Sequence, residues 1–291
     1  MIEFVALPLL AAYLTAYAAT ALHRRLPARL ASWASITSLT LILLAATPTI
    51  WLMAFSGLRH VGIDSPLSDW SHHLLPDLGP AGALLGVAAS VVTVVGLVRA
   101  VRVVRLRRRL CATAGHDLEI LPSDAVFAYT LPGPGGNIVV SQGLVNAVSE
   151  TELSAVIAHE RSHARNRHDR HLLLARLAVA LLPMTNHLAK RLEFSIERWA
   201  DRDAAMELGD PRLIARAIAR VALAGDHSPA MVNGIARFGA AARAEALLQS
   251  DSHHRRARHA AIASLAALGI TFAASALQLH HTIGFGASLL A

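Results

Sequence analysis

The chain has 291 residues, of which 54% are hydrophobic and 16% charged, and its formal net charge is +7. So apolar a composition excludes an ordinary soluble enzyme and points first to membrane spans. The arginines cluster beside apolar stretches (Arg24, Arg25, Arg29; Arg99 to Arg109; Arg255, Arg256, Arg258), a membrane-flanking pattern that argues against nucleic acid as a partner.

Four segments, about 2–22, 36–55, 81–104 and 260–279, approach or exceed the roughly 20 residues that a bilayer core demands. The first is expected to be a retained anchor, because Glu3 stands where a cleaved leader would carry basic residues. Pro48 lies inside the second, where neighbouring helices can satisfy the freed carbonyl. Arg24, Arg25 and Arg29 follow the first segment; Arg105, Arg107, Arg108 and Arg109 follow the third; Arg255, Arg256 and Arg258 precede the fourth. The loop after the second holds Arg59 beside Asp64, Asp69 and Asp77. Basic loops stay inside, so a multi-pass plasma-membrane protein is expected, with its N-terminus outside, 105–258 cytoplasmic and the tail outside. The expected division is 1–104 with three spans, 105–258 as a cytoplasmic domain, and 259–291 with the last span and a short tail.

Within the cytoplasmic part, Leu131 to Gly136 is rich in Pro and Gly and predicts a turn. Asn137, Ile138, Val139, Val140 and Ser141 then read as a short strand. Two readings stand side by side for Asn137 to Val140: a scaffold hairpin, or an edge strand that binds an extended peptide by strand addition. Ser149-Glu150-Thr151-Glu152 is a capping box that opens a helix, and Leu153, Val156 and Ile157 form its buried stripe. Leu172 to Pro183 is apolar but too short to span comfortably, which predicts a buried or membrane-skimming helix.

The stripe leads into His159-Glu160-Arg161-Ser162-His163. Histidines four apart share one helix face and can hold one tetrahedral zinc ion per chain. Glu160 is then placed as the base for a metal-activated water. The lone cysteine, Cys111, rules out a cysteine-rich site. A second helix over 188–208, closed by Gly209, carries Glu197 and Asp201, again four apart. Glu197 can complete a two-His, one-carboxylate site, and Asp201 can hold a ligand imidazole in its tautomer. An acidic face paired with Arg198 and Arg202 is the plainer alternative, and His168, His171 and His187 are rival third ligands, His187 the foremost.

The run from Ile138 to Asp169, followed by Glu197-Arg198-Trp199-Ala200-Asp201, resembles membrane gluzincins of the HtpX and CAAX-prenyl-protease type. Three spans, a zinc domain and a final span are similar to the BlaR/MecR-type sensor-transducer peptidases. The resemblance implies a zinc endopeptidase with His159, His163 and Glu197 as ligands, Glu160 as base and Asp201 as the acid behind a ligand. Only about a dozen residues follow the last span, in place of the sensors' penicillin-binding domain, so direct β-lactam sensing is not expected. An oxyanion donor is also implied. His227, Arg243, His253 and His254 are candidates, each better read as a surface or headgroup-facing basic residue, and none is assigned.

The expected fold is mainly α: four transmembrane helices and a cytoplasmic, mostly helical, gluzincin-like zinc domain with a small β element. The expected function is a membrane-anchored zinc metalloendopeptidase, serving regulatory signalling through repressor cleavage or membrane-protein quality control. Its partners are a protein or peptide substrate and the lipid bilayer, with oligomeric state left open. The alternative is a non-catalytic, zinc-bound membrane signalling or scaffold protein.

Overall fold

The computed structural model describes residues 26–60, 79–112, 118–133, 136–224 and 239–248, together with the isolated positions 269 and 273. The expected spans 2–22 and 260–279 therefore lie outside, or almost wholly outside, the described residues. Two long helices come first, α1 (Ala28–His60) and α2 (Gly79–Ala112). Helix α1 runs through Pro48 without ending. Among the described residues, α2 is the one helix long and apolar enough to cross a membrane by length and composition; α1 offers a shorter apolar stretch, Ala28–Leu44. The two helices touch at glycines. A Cβ on Gly86 would sit 2.2 Å from the Gly57 Cα, so any side chain there pushes the helices apart. Leu84, Val91 and Val94 on α2 are left exposed by the protein itself. At 1.5 Å per residue α2 is about 50 Å long, more than the roughly 30 Å of a bilayer's hydrocarbon core.

Three short strands follow: β1 (Leu118–Leu121), β2 (Ala128–Thr130) and β3 (Ile138–Ser141). Their order is β1-β3-β2, with β1 parallel and β2 antiparallel to β3. In register, Leu118 faces Ile138 and Ala128 faces Val140. The strand expected from Asn137 to Ser141 is present, but it is central. Both its edges are occupied and Ile138, Val139 and Val140 are buried, so the edge-strand reading of Asn137 to Val140 is corrected: the outer strands are β1 and β2. Ser141 closes the strand and caps the short helix α3 (Gln142–Ala147), its hydroxyl accepting from the Leu144 N–H at 3.1 Å. Gly143 allows the close approach of a neighbouring loop: its N–H donates to the Ser123 carbonyl at 2.8 Å, and a Cβ would stand 2.2 Å from the Asp124 carbonyl oxygen.

Five helices complete the described chain: α4 (Glu150–Arg165), α5 (His168–Leu181), α6 (Asn186–Leu208), α7 (Pro211–Ala224) and α8 (Ala240–Leu248). A 3-10 turn over Pro183–Thr185 joins α5 to α6, and Gly209, with φ of 69°, ends α6. The helix expected over 188–208 is thus present and starts two residues earlier. One core cluster joins Leu39, Ile42 and Ala46 of α1 to Leu182 and to Leu188, Leu192 and Ile196 of α6. Each such fully buried aliphatic side chain contributes about 1.5–3 kcal/mol by leaving water. The apolar stretch Leu172–Pro183 forms most of α5, and Ala175, Ala178 and Ala180 are buried. Its end lies on α2, where a Cβ at Gly96 would be 3.2 Å from the Leu181 Cα. The long helices and the region after them therefore share one core. A further cluster, Ala155, Ala158, Ala204, Ile214, Ala217 and Ile218, fixes α4 against α6 and α7.

Candidate metal centre

Helix α4 starts at the expected capping box. The Ser149 hydroxyl accepts from the Glu152 N–H at 3.3 Å and Glu152 Oε2 accepts from the Ser149 N–H at 2.9 Å. That start sets the phase of the helix, so Ala155, Val156 and Ala158 turn inward together with His159 and Glu160, both 3% exposed. One turn on, His163 brings its Nε2 to 3.1 Å from the His159 Nε2. Helix α6 supplies Glu197, with Oε2 3.4 Å from His159 Nε2 and Oε1 3.6 Å from His163 Nε2.

These three residues form a group whose ligand atoms all lie within 4.8 Å of one another. The edge of a tetrahedron around a zinc ion with ligands at about 2.0–2.1 Å is about 3.3 Å, close to the His159–His163 distance and to the nearest approach of the Glu197 carboxylate to each imidazole. Arg243 Nη1 lies 3.0 Å from Glu197 Oε2, yet that oxygen is buried with no hydrogen-bond partner, leaving a lone pair for a cation. The donor set fits a divalent metal of the zinc type.

Behind the centre stands a buried ionic chain. His159 Nδ1 is 2.9 Å from Asp201 Oδ1. Arg243 grips Asp201 with two hydrogen bonds, Nε to Oδ2 at 2.8 Å and Nη2 to Oδ1 at 2.6 Å. Arg243 is 1% exposed, which corrects its expected surface placement. Without metal, burial pulls the His159 pKa down, but hydrogen bonds and charge from Asp201 and Glu197 outweigh it and raise the value to about 10. For Glu197 burial pushes up, and Arg243 with the two imidazoles brings it down to about 2. Burial likewise opposes ionisation of Asp201, and the Arg243 charge holds it well below the usual carboxylate range. Arg243 lies 42 residues from Asp201, beyond any local pattern. Its signal was compositional: one arginine within Gly239-Ala-Ala-Ala-Arg-Ala, whose neighbours offer no reason for a charge.

In front of the centre is a cleft of about 330 Å³, within the range of small-ligand sites. Glu160, His163 and Glu197 line it, with β2 and the following turn on one side and Leu106, Leu110, Leu172 and Leu173 on the other. The Thr130 hydroxyl lies 2.7 Å from Glu160 Oε2 and 2.9 Å from the Glu160 carbonyl, and its single proton serves one at a time. Arg107 Nη2 meets Asp169 Oδ2 at 2.7 Å on the cleft wall. Gly136, with φ of 60°, passes so close to α4 that a Cβ would stand 2.5 Å from the Ala164 Cβ.

Of the rival ligands, His187 is exposed and its Nδ1 lies 2.9 Å from the Met184 carbonyl, outside the cluster. His171 stacks on Trp199 and stays outside it too. His168 does return to the site, because the chain does not continue as one helix: Arg167 adopts φ of 52° and folds α5 back. It meets His163 from behind, Nδ1 to Nδ1 at 3.1 Å. Asn137 is 5% exposed and its Nδ2 is buried without a partner. His227, His253 and His254 lie outside the described residues.

Residues 112–224 match the sequence pattern of Peptidase family M48. A protease HtpX homolog of Listeria innocua serovar 6a is 40% identical over 73 residues, covering 25% of this chain and 24% of the relative. The homolog of Dictyoglomus turgidum is 34% identical over 82 residues, or 28% and 27% of the two chains. The homolog of Aeropyrum pernix is 26% identical and covers 36% of this chain and 45% of the relative. The matches thus span from about a quarter to under half the length of these relatives. No solved structure gives a significant match.

Proposed function

We propose that the chain is a membrane-anchored zinc metalloendopeptidase, with His159, His163 and Glu197 as ligands, Glu160 as general base and Asp201 holding His159. The observation that carries the reading is the convergence of the His159 and His163 Nε2 atoms, 3.1 Å apart, with the Glu197 carboxylate, Oε2 3.4 Å from the first and Oε1 3.6 Å from the second, beside a cleft that Glu160 also lines. Zinc bound there would lower the pKa of a water and polarise a peptide carbonyl. Glu160 lines the same cleft and would hold at its carboxylate the proton that a leaving amine needs. Thr130 orients the carboxylate for the transfer. Asp201 and Arg243 keep His159 and Glu197 in place. Three protein ligands beside an open cleft favour catalysis over a structural zinc site, which would be closed by four.

Strand β2, an outer strand of the sheet whose residues line the cleft, favours an extended polypeptide as substrate, added as a strand. Leu106 and Leu110 at the cleft belong to the end of α2, which favours cleavage close to a membrane on the cytoplasmic side, in repressor release or membrane-protein quality control. The test is Glu160→Gln. Zinc content should persist while hydrolysis of an unfolded protein substrate falls by about 10²–10⁴-fold, the usual range for a general base. Unchanged hydrolysis would sink the mechanism.

A further inference from the structure

We propose that His168 is a positioning residue for the metal centre: its Nδ1 accepts the Nδ1–H of His163 and thereby presents the His163 Nε2 lone pair to the metal. This rests on the reading of His159, His163 and Glu197 as the ligand set.

The two ligand imidazoles have different groups behind them. His159 is backed by a carboxylate, Asp201, at 2.9 Å. His163 is backed by a second imidazole, with the two Nδ1 atoms 3.1 Å apart. At that distance one nitrogen must donate and the other accept. His163 Nε2 is the atom that faces His159 Nε2 at 3.1 Å and Glu197 Oε1 at 3.6 Å. A free lone pair on that atom puts the His163 proton on Nδ1. His168 Nδ1 must then accept, and His168 carries its own proton on Nε2. The opposite tautomer would aim a His163 N–H into the ligand cluster.

The fold holds this arrangement closely. His168 is 0% exposed although it opens α5, a place where a side chain is ordinarily wet. The left-handed Arg167 turns it inward. Asn166 anchors that turn, its Nδ2 donating to the Ser162 carbonyl at 3.0 Å and to Asp203 Oδ2 at 2.7 Å. Trp199, two residues past Glu197, stands against the His168 ring at 4.8 Å and 64°. Arg29 covers Trp199 from α1, 5.4 Å from its ring. His168 Nε2 is buried and has no hydrogen-bond partner. Packing alone would be served by an apolar side chain of similar size. The polar contact His168 does make is to the ligand.

The test compares His168→Leu with His168→Asn in the full chain, purified in detergent. Leucine keeps volume and removes the acceptor; the asparagine Oδ1 reaches the place of Nδ1 and can accept. Zinc affinity is measured by competition with a chelator, and the fold by circular dichroism of the metal-free proteins. The expected result is a 10–100-fold weaker zinc affinity in His168→Leu, the usual loss when a ligand's outer partner is removed, and rescue in His168→Asn. Histidine ¹⁵N shifts of the zinc-loaded protein should show His163 protonated at Nδ1. Parent-like affinity in His168→Leu, an equal loss in both variants, or a His163 proton on Nε2 overturns the proposal. If His168→Leu does not fold, zinc retention by His168→Asn decides it in the same way. Absence of zinc from the parent sinks the centre itself and this inference with it, whereas zinc in the parent and unchanged affinity in His168→Leu sinks the inference alone.

Discussion

Replacing Arg243 by methionine tests whether the ionic chain behind the centre holds the fold together. Arg243 is 0% exposed in its side chain and carries two hydrogen bonds to Asp201 and an ion-pair contact at 3.0 Å to Glu197. Removing one partner of a buried pair costs about 3–5 kcal/mol, because the remaining charge stays buried. Two carboxylates would be left, but the metal-free His159 is protonated and sits between them, which offsets one charge and favours the lower end. At about 2–4 °C per kcal/mol, a loss of about 3 kcal/mol lowers the unfolding temperature by roughly 6–12 °C. The assay is thermal unfolding in detergent with a chelator present, so that metal loss adds nothing. The control is Arg216→Met: Arg216 is 65% exposed in its side chain and 4.0 Å from Asp210, a surface pair that contributes about 0–1 kcal/mol. An Arg243→Met midpoint within about 2 °C of that control would refute the reasoning.

Two further outcomes follow from the same geometry. Glu197→Ala should lose bound zinc while His187→Ala keeps it, and metal analysis of the purified variants reads this directly; full retention in Glu197→Ala would remove Glu197 from the ligand set. Zinc binding should release about one proton at pH 7.5, since His159, raised to about 10, holds a proton that the metal displaces, while Glu197 is already ionised. By the same sign, His159 stabilises the metal-free fold fully below its unfolded pKa of about 6.5 and loses that contribution as pH rises through about 10. Titration calorimetry in buffers of different ionisation enthalpy counts the protons, and a count of zero at pH 7.5 would contradict the coupling.

The local features of the site were legible in the chain because local geometry carries them. A capping box sets where α4 starts, and a spacing of four puts His159 beside His163 and Glu197 beside Asp201 on their helices. Other features depend on residues far apart or on a single backbone angle. The strand at Ile138 was visible, but its place in the middle of the sheet was not: an all-buried run looks the same whether one or both edges are paired, and only β1 and β2 decide it. His168 stood behind His187 among the rival ligands, since a continuous helix would carry it away from the metal face, and one left-handed residue, Arg167, reverses that. Arg243 looked like a surface charge because its partner lies 42 residues off on another helix. The sequence by itself determined which atoms can bind a metal and on which helix faces they stand. The tertiary structure decided what stands behind them, since a buried charge or an imidazole acceptor is specified by packing between helices, which leaves no periodic trace along the chain.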